Sequence, residues 1–261
     1  MTYKSDCYYH YTSVAGALAI ISSRTVWLTD YRFLNDRLEL RQGLDSFLSK
    51  IPKEQQASFR RAFQWHDIQN HHCVFSLSRS PKILSQWRAY ASDGAGIALG
   101  LNRAFLEYAG LSLVECKYED HDKYAAELVV KHDGFIRAVY DASQLHRAEN
   151  DFMGWVEAQC SSFYSVVEDL IALKNPAFAE ELELRAVWCR KMGEVKMRSA
   201  RDLIIPYVDA KIWPDDERAS ALAVVIPEIW LGPKSNDLNR LSIHALNIGM
   251  CMIHRHDCGY V

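Results

Sequence analysis

Aromatic and apolar residues crowd the stretch Cys7-Tyr8-Tyr9-His10-Tyr11-Thr12, and from Ser13 onward the apolar positions Val14, Ala17, Leu18 and Ile21 recur at helical spacing. The first pattern predicts a strand and the second a helix, with Thr12 or Ser13 as the cap between them. Val26-Trp27-Leu28 reads as a second short strand. A helix carrying Leu40, Leu44, Phe47, Leu48 and Ile51 on one face follows and is stopped by Pro52, and residues 53 to 70 read as another helix with Phe59 and Phe63 inward. Cys73 to Ser78 has strand character, the segment around Leu84, Trp87 and Tyr90 that of a short helix, and Asp93-Gly94-Ala95-Gly96 turns the chain into a strand over Ile97 to Leu101.

Leu111 to Tyr118 is a further expected strand. Residues 122 to 173 then lack both strand alternation and turn residues, which predicts one long or two shorter helices inserted into the fold. After Asn175-Pro176 the texture returns to β at Leu182 to Trp188, Val195 to Arg198, Leu203 to Val208 and Ala223 to Leu231. A helix near 237 to 248 and a strand at 250 to 256 complete the chain. Strands at both ends around central helices, without repeats or linkers, argue for one α+β domain over residues 1–261 with 122–173 as a helical insertion.

Composition narrows the function classes. The 261 residues are 49% hydrophobic and 24% charged, ample for a core, and the net charge of -3 with a pI near 6.4 lacks the basic footprint of a nucleic-acid binder. The odd count of seven scattered cysteines fits reduced thiols, and no apolar run has membrane-spanning length. A cytoplasmic chain with no membrane partner is expected. His66, His71, His72 and Cys73, and at the other end Cys251, His254, His256 and Cys258, lack zinc-finger spacing, so no metal site is assigned.

The segment Glu181-Leu182-Glu183-Leu184-Arg185 carries the most chemistry. On a strand, alternate side chains share a face, so two carboxylates and a guanidinium would line one side while Leu182, Leu184 and Ala186 line the other. Carboxylates so placed can stabilise an oxocarbenium-like sugar carbon, and the arginine can hold a phosphate. The competing reading is a solvated strand face closed by an ion pair. Elsewhere, His10, Tyr11 and Thr12 end the first strand at a helix start, Ser76 and Ser78 share one strand face, and Trp87, Arg88 and Tyr90 would either wall a flat ring or, as aromatics at helical spacing, pack in the core. Asn35, Asp36 and Glu39 would contact a substrate or cap a helix.

The order of these pieces, namely Tyr9 to Ser13, Phe33 to Asp36 with Glu39, Phe75 to Ser78 with Trp87 and Tyr90, Phe178 to Arg185, and Ile226 to Pro233, resembles a bacterial family known as the domain of unknown function twenty-nine seventy-one. That pattern is in turn similar to the three-part signature of ADP-ribosyltransferases. The resemblance implies a split-sheet core that binds NAD as substrate, with His10 on the ribose, Ser76 or Ser78 as the second signature residue, and Glu183 or Glu181 as the catalytic glutamate. Tyr11 or Tyr90 would stack on the nicotinamide, Thr12 would edge the cleft, and Arg185 or Arg32 would contact the pyrophosphate. The implied activity is cleavage of the nicotinamide-ribosyl bond with transfer to a protein or nucleic-acid acceptor, or to water, in a toxin or antiphage setting. Two other classes compete: a nuclease-like hydrolase using His10, Asp36 and Glu39, and a catalytically silent module that binds a nucleotide.

Overall fold

Ser13 accepts a hydrogen bond from the Gly16 amide at 3.0 Å, and this N-cap turns strand β1 (Cys7–Thr12) directly into helix α1 (Val14–Ser23). The computed structural model describes residues 6–34, 37–118, 120–146, 148–200, 202–214, 225–246 and 251–260, with the side chains of 37–40 outside that description. Next come β2 (Thr25–Asp30), α2 (Arg37–Lys50), α3 (Lys53–Gln69), β3 (Asn70–Ser78), α4 (Leu84–Tyr90), β4 (Ile97–Asn102), α5 (Arg103–Tyr108) and β5 (Ser112–Glu115). Four helices follow: α6 (His121–Lys131), α7 (Asp133–Leu145), α8 (Glu149–Ala158) and α9 (Cys160–Ile171). The chain ends with β6 (Glu183–Lys191), β7 (Lys196–Ala200), β8 (Leu203–Lys211), β9 (Glu228–Leu231), α10 (Leu238–Ala245) and β10 (Met252–Arg255).

The fold is α+β. The described strands form one mixed sheet in the order β10-β9-β4-β1-β3-β2-β8-β7, with β6 and then β5 added on β3. β9 and β10 run parallel, and the other described pairings are antiparallel. Strand alternation divides the buried residues between two cores. Cys73, Phe75, Leu77, Leu184 and Ala186 face one core with Ala17 of α1 and Ile243 of α10. Val74 and Val187 face the other, built on Phe47, Phe59, Phe152 and Phe163.

That second core is the buried side of a helical layer made by α2, α3 and the inserted helices. Four helices replace the one or two expected between residues 122 and 173 because the backbone leaves helical geometry at His132, His146 and Gln159. None of these positions is Gly or Pro, so none of the breaks carries a turn signal. α5 was also absent from the sequence pattern; it is six residues long and is capped by Asn102, which accepts from the Ala104 amide at 3.0 Å.

Candidate functional site

β3 has a full partner on one edge and a divided one on the other. Along one side it pairs with β6 from Asn70↔Lys191 to Ser78↔Glu183. On the opposite side β1 touches it at Tyr9↔Ser78 and β2 at Thr29↔Val74 and Asp30↔Cys73. Between those contacts the sheet splits, and Phe75 to Leu77 have no strand partner on that edge among the described residues. A pocket of about 440 Å³ opens at the split, within the roughly 300–1,000 Å³ typical of ligand sites.

Three distant segments meet around it: His10 from β1, Ser76 from β3, and Glu181 with Glu183 from the approach to β6. The two glutamates do not come together by strand alternation, as the sequence suggested. Pro176 to Glu181 form a 3-10 turn, Leu182 takes a left-handed conformation at φ 46° and ψ 46°, and the strand begins only at Glu183. Leu182 is accordingly 45% exposed rather than on the apolar face with Leu184 and Ala186.

What joins the carboxylates is Lys174. Its ammonium, itself buried, donates to Oε2 of Glu181 and to Oε2 of Glu183. Arg185 approaches Glu183 from behind, its Nε donating to Oε1 at 3.0 Å and its Nη1 to the Ile171 carbonyl at 2.6 Å. Burial opposes ionisation of Glu183, but the Arg185 and Lys174 charges outweigh it and hold the carboxyl at about 2. Burial likewise opposes the charge on Lys174, and Glu183 foremost among its partners raises that ammonium above its ordinary range. Glu181, Glu183, Lys174 and Arg185 thus form one hydrogen-bonded cluster at a wall of the pocket.

His10 occupies the split. Its Nδ1 lies 3.0 Å from the Ser76 carbonyl and its ring lies against Phe75, tilted by 30° with centroids 4.2 Å apart. A carbonyl can only accept, so Nδ1 carries the proton. Burial, resisted by that hydrogen bond, pushes the imidazole down to about 4. At neutral pH the ring is uncharged and Nε2 is an acceptor. Tyr11 also lines the pocket, but its hydroxyl donates to the Ser80 carbonyl at 2.7 Å and accepts from the Ile83 amide. Tyr90 lines it as an exposed ring.

Other expected site residues lie elsewhere. Ser78 is buried, with Oγ donating to the Glu181 carbonyl at 2.7 Å, so it anchors the 3-10 turn instead of facing the pocket. Trp87 is fully buried, its Nε1 donating to the Pro81 carbonyl and its ring edge-on to Tyr11; it supports the site from below. Thr12 packs its hydroxyl against Gly16 of α1. Arg185 sits behind Glu183, and Arg32 is held by Asp30, the Asp67 carbonyl and His71, so neither lines the pocket. Asn35, Asp36 and the side chain of Glu39 lie outside the described residues.

Reasoning from the sequence missed Lys174, Asn175, Gln42 and Gln86, all of which line the pocket. Asn175-Pro176 was legible only as a chain break, and nothing in the pattern marks a lysine as buried; a lysine three residues beyond an apolar helix end was the available signal. No group of three His, Cys, Asp or Glu among the described residues is arranged to hold a metal ion. His66 and His72 instead face each other at 3.0 Å within the helical core, and His254 stacks on Trp230. No described helix is long and apolar enough to cross a membrane.

Residues 86–186 match the model of a protein family described as protein of unknown function (DUF2971). The likeness covers 101 of the chain's 261 residues. The DUF2971 match runs from α4 to Ala186 in β6 and so includes Tyr90, Lys174, Glu181 and Glu183, while His10 and Ser76 precede it. No curated protein and no solved structure matches the chain at a significant level.

Proposed function

We propose that the pocket at the sheet split binds NAD, that the split-sheet core is ADP-ribosyltransferase-like, and that the chain cleaves the nicotinamide-ribosyl bond. One observation carries this reading: His10, Ser76 and Glu183, from three distant segments, line a single pocket. In the reaction the bonding pair of the C–N bond leaves with nicotinamide, which departs neutral, and the ribosyl carbon becomes oxocarbenium-like. A protein or nucleic-acid nucleophile, or water, bonds to that carbon and loses its proton. Glu183, ionised at any pH above about 2, supplies negative charge where positive charge develops. Neutral His10 offers Nε2 to a ribose hydroxyl, and Glu181 shares Lys174 with Glu183 and so fixes their separation.

A second reading has its own support. Both oxygens of Glu183 are already held, by Arg185 and by Lys174, which favours a module that binds a nucleotide without turning it over. The nuclease-like alternative rests on Asp36 and Glu39 and gains nothing from the described geometry. Incubation of the pure chain with NAD, with released nicotinamide quantified by chromatography, separates the readings. Turnover that disappears in Glu183→Gln supports the enzyme; NAD binding without release supports the silent module; no binding of NAD at all defeats the enzyme and leaves the silent module only with another nucleotide.

A further inference from the structure

Helix α9 runs antiparallel to β6, and the contacts between them follow in order from one end to the other. At the pocket end Arg185 Nη1 donates to the Ile171 carbonyl at 2.6 Å, two residues along the strand the Val187 carbonyl accepts from Tyr164 Oη at 3.3 Å, and two residues further Cys189 meets Cys160. The spacing is what the two geometries require. Cys160 and Tyr164 are four apart on one helix face, about 6 Å along the axis, and Val187 and Cys189 share a strand face about 7 Å apart. The Cys160 thiol donates to Asn70 Oδ1 at 3.5 Å, so in the hydrogen bond between the two sulfurs Cys189 is the donor. Cys73 lies one register position from Cys189 but points to the opposite face of the sheet, into the first core.

We propose that Cys160 and Cys189 are a site of oxidative modification, closed to a disulfide by hydrogen peroxide, and that this bond fastens α9 to β6 behind the pocket wall. Both thiols are free and half-buried, unlike the buried Cys7, Cys73 and Cys116, so a small oxidant reaches them. Burial foremost, and the adjacent Cys160 next, pushes the Cys189 thiol up to about 12, which leaves Cys160 to meet the oxidant and Cys189 to resolve it. In the first step the Cys160 sulfur bonds to one peroxide oxygen, the O–O bond breaks, and the thiol proton leaves with the other oxygen as water; sulfur is oxidised to a sulfenic acid and peroxide is reduced. In the second the Cys189 sulfur bonds to that of Cys160, the S–O bond breaks, and the departing hydroxide takes the Cys189 proton. Two thiols and one peroxide give one disulfide and two waters. The loop so closed contains α9, Lys174, the turn bearing Phe178 and Glu181, and β6 from Glu183. Its pocket end is already held by the Lys174 bridge, and the disulfide would hold the other end, so that α9 can no longer part from β6. The proposal does not depend on which ligand the pocket takes.

Peptide mapping without reductant, on the full chain treated with hydrogen peroxide and then alkylated, tests this. The expected product is a cross-linked pair of peptides holding Cys160 and Cys189, lost on adding dithiothreitol and absent from Cys160→Ser and from Cys189→Ser. The disulfide closes a loop of about 30 residues, so the oxidised chain should melt about 5–12 °C higher in scanning fluorimetry, reversibly with reductant and in neither serine variant. Deuterium uptake by peptides from α9 and β6 should slow about twofold or more, since their separation is the opening that the bond forbids. No cross-link, or one joining only other cysteines, overturns the pairing, and the map of the parent chain decides this even where a serine variant fails to fold. A Cys160–Cys189 cross-link with Tm and deuterium uptake unchanged overturns the fastening of α9 to β6. A rise in Tm that Cys189→Ser shows equally belongs to another oxidised residue and overturns it too.

Discussion

Lys174→Met is the sharpest perturbation available. The wild-type ammonium and both of its carboxylate partners have side chains less than a tenth exposed, so the substitution strands charge in the interior instead of at a surface. Removing one member of such a cluster costs about 3–5 kcal/mol. Glu183 gives an independent figure: a carboxyl held at about 2 against an ordinary 4.5 corresponds to roughly 3 kcal/mol of favourable environment, part of it supplied by Arg185. For a chain of this length each kcal/mol moves the midpoint by about 2–4 °C, so Tm should fall by roughly 6–20 °C at pH 7. The sign with pH follows from the depressed value. The Glu183 contribution is complete above pH 4.5 and is lost as the pH falls toward 2, so the deficit of the variant should shrink on acidification. Adding Glu181→Gln removes one stranded charge and should recover part of the loss. Differential scanning fluorimetry from pH 7 down to pH 3 measures all of this. A Tm within 2 °C of the parent at pH 7, or a deficit that grows in acid, would refute the placement of Lys174 between the two glutamates.

Further expectations follow from single residues. Because burial depresses the imidazole of His10, its NMR titration midpoint should lie near 4, and its contribution to stability should be full above pH 6.5 and decline as the pH falls from there to about 4; a midpoint at the ordinary 6.5 contradicts its seat in the split. Leu182→Gly relieves a left-handed backbone at an exposed site and should stabilise by up to about 1 kcal/mol in urea unfolding, whereas Leu182→Val should destabilise by a similar amount; a loss in the glycine variant counts against the kink. Trp87→Ala empties a fully buried site and breaks the bond to Pro81, and should cost about 3–5 kcal/mol; a cost under 1 kcal/mol would show that Trp87 is not core.

Periodicity revealed most of the secondary structure because the sheet has two apolar faces and each helix one, so burial writes its period into the chain. β1, α1, α3, α4 and β4 appear close to where alternation and helical spacing put them. The helical layer was visible as a whole but not as four pieces, since the breaks at His132, His146 and Gln159 fall on residues that are neither Gly nor Pro and leave no turn signal in the chain. For the site, the family resemblance singled out His10, Ser76 or Ser78, and Glu183 or Glu181, and of these His10, Ser76, Glu181 and Glu183 line one pocket. It failed where a role depends on distant atoms: Ser78 and Ser76 share a strand face, yet only Ser78 is consumed by the turn at Glu181. Lys174 became meaningful only once the fold had set it against two carboxylates.

The division of the sheet gives the protein a built-in reporter. In a strand the N–H and C=O of one residue point to the same side, so the Ser76 N–H looks into the gap into which its carbonyl receives His10. That amide proton belongs to a strand locked along its other edge to β6, yet it faces an opening instead of a neighbouring chain. Its deuterium uptake should therefore be quick for a residue so central to the sequence of strands, and should slow whenever something fills the slot, which makes one backbone proton a direct readout of occupancy for any compound tried.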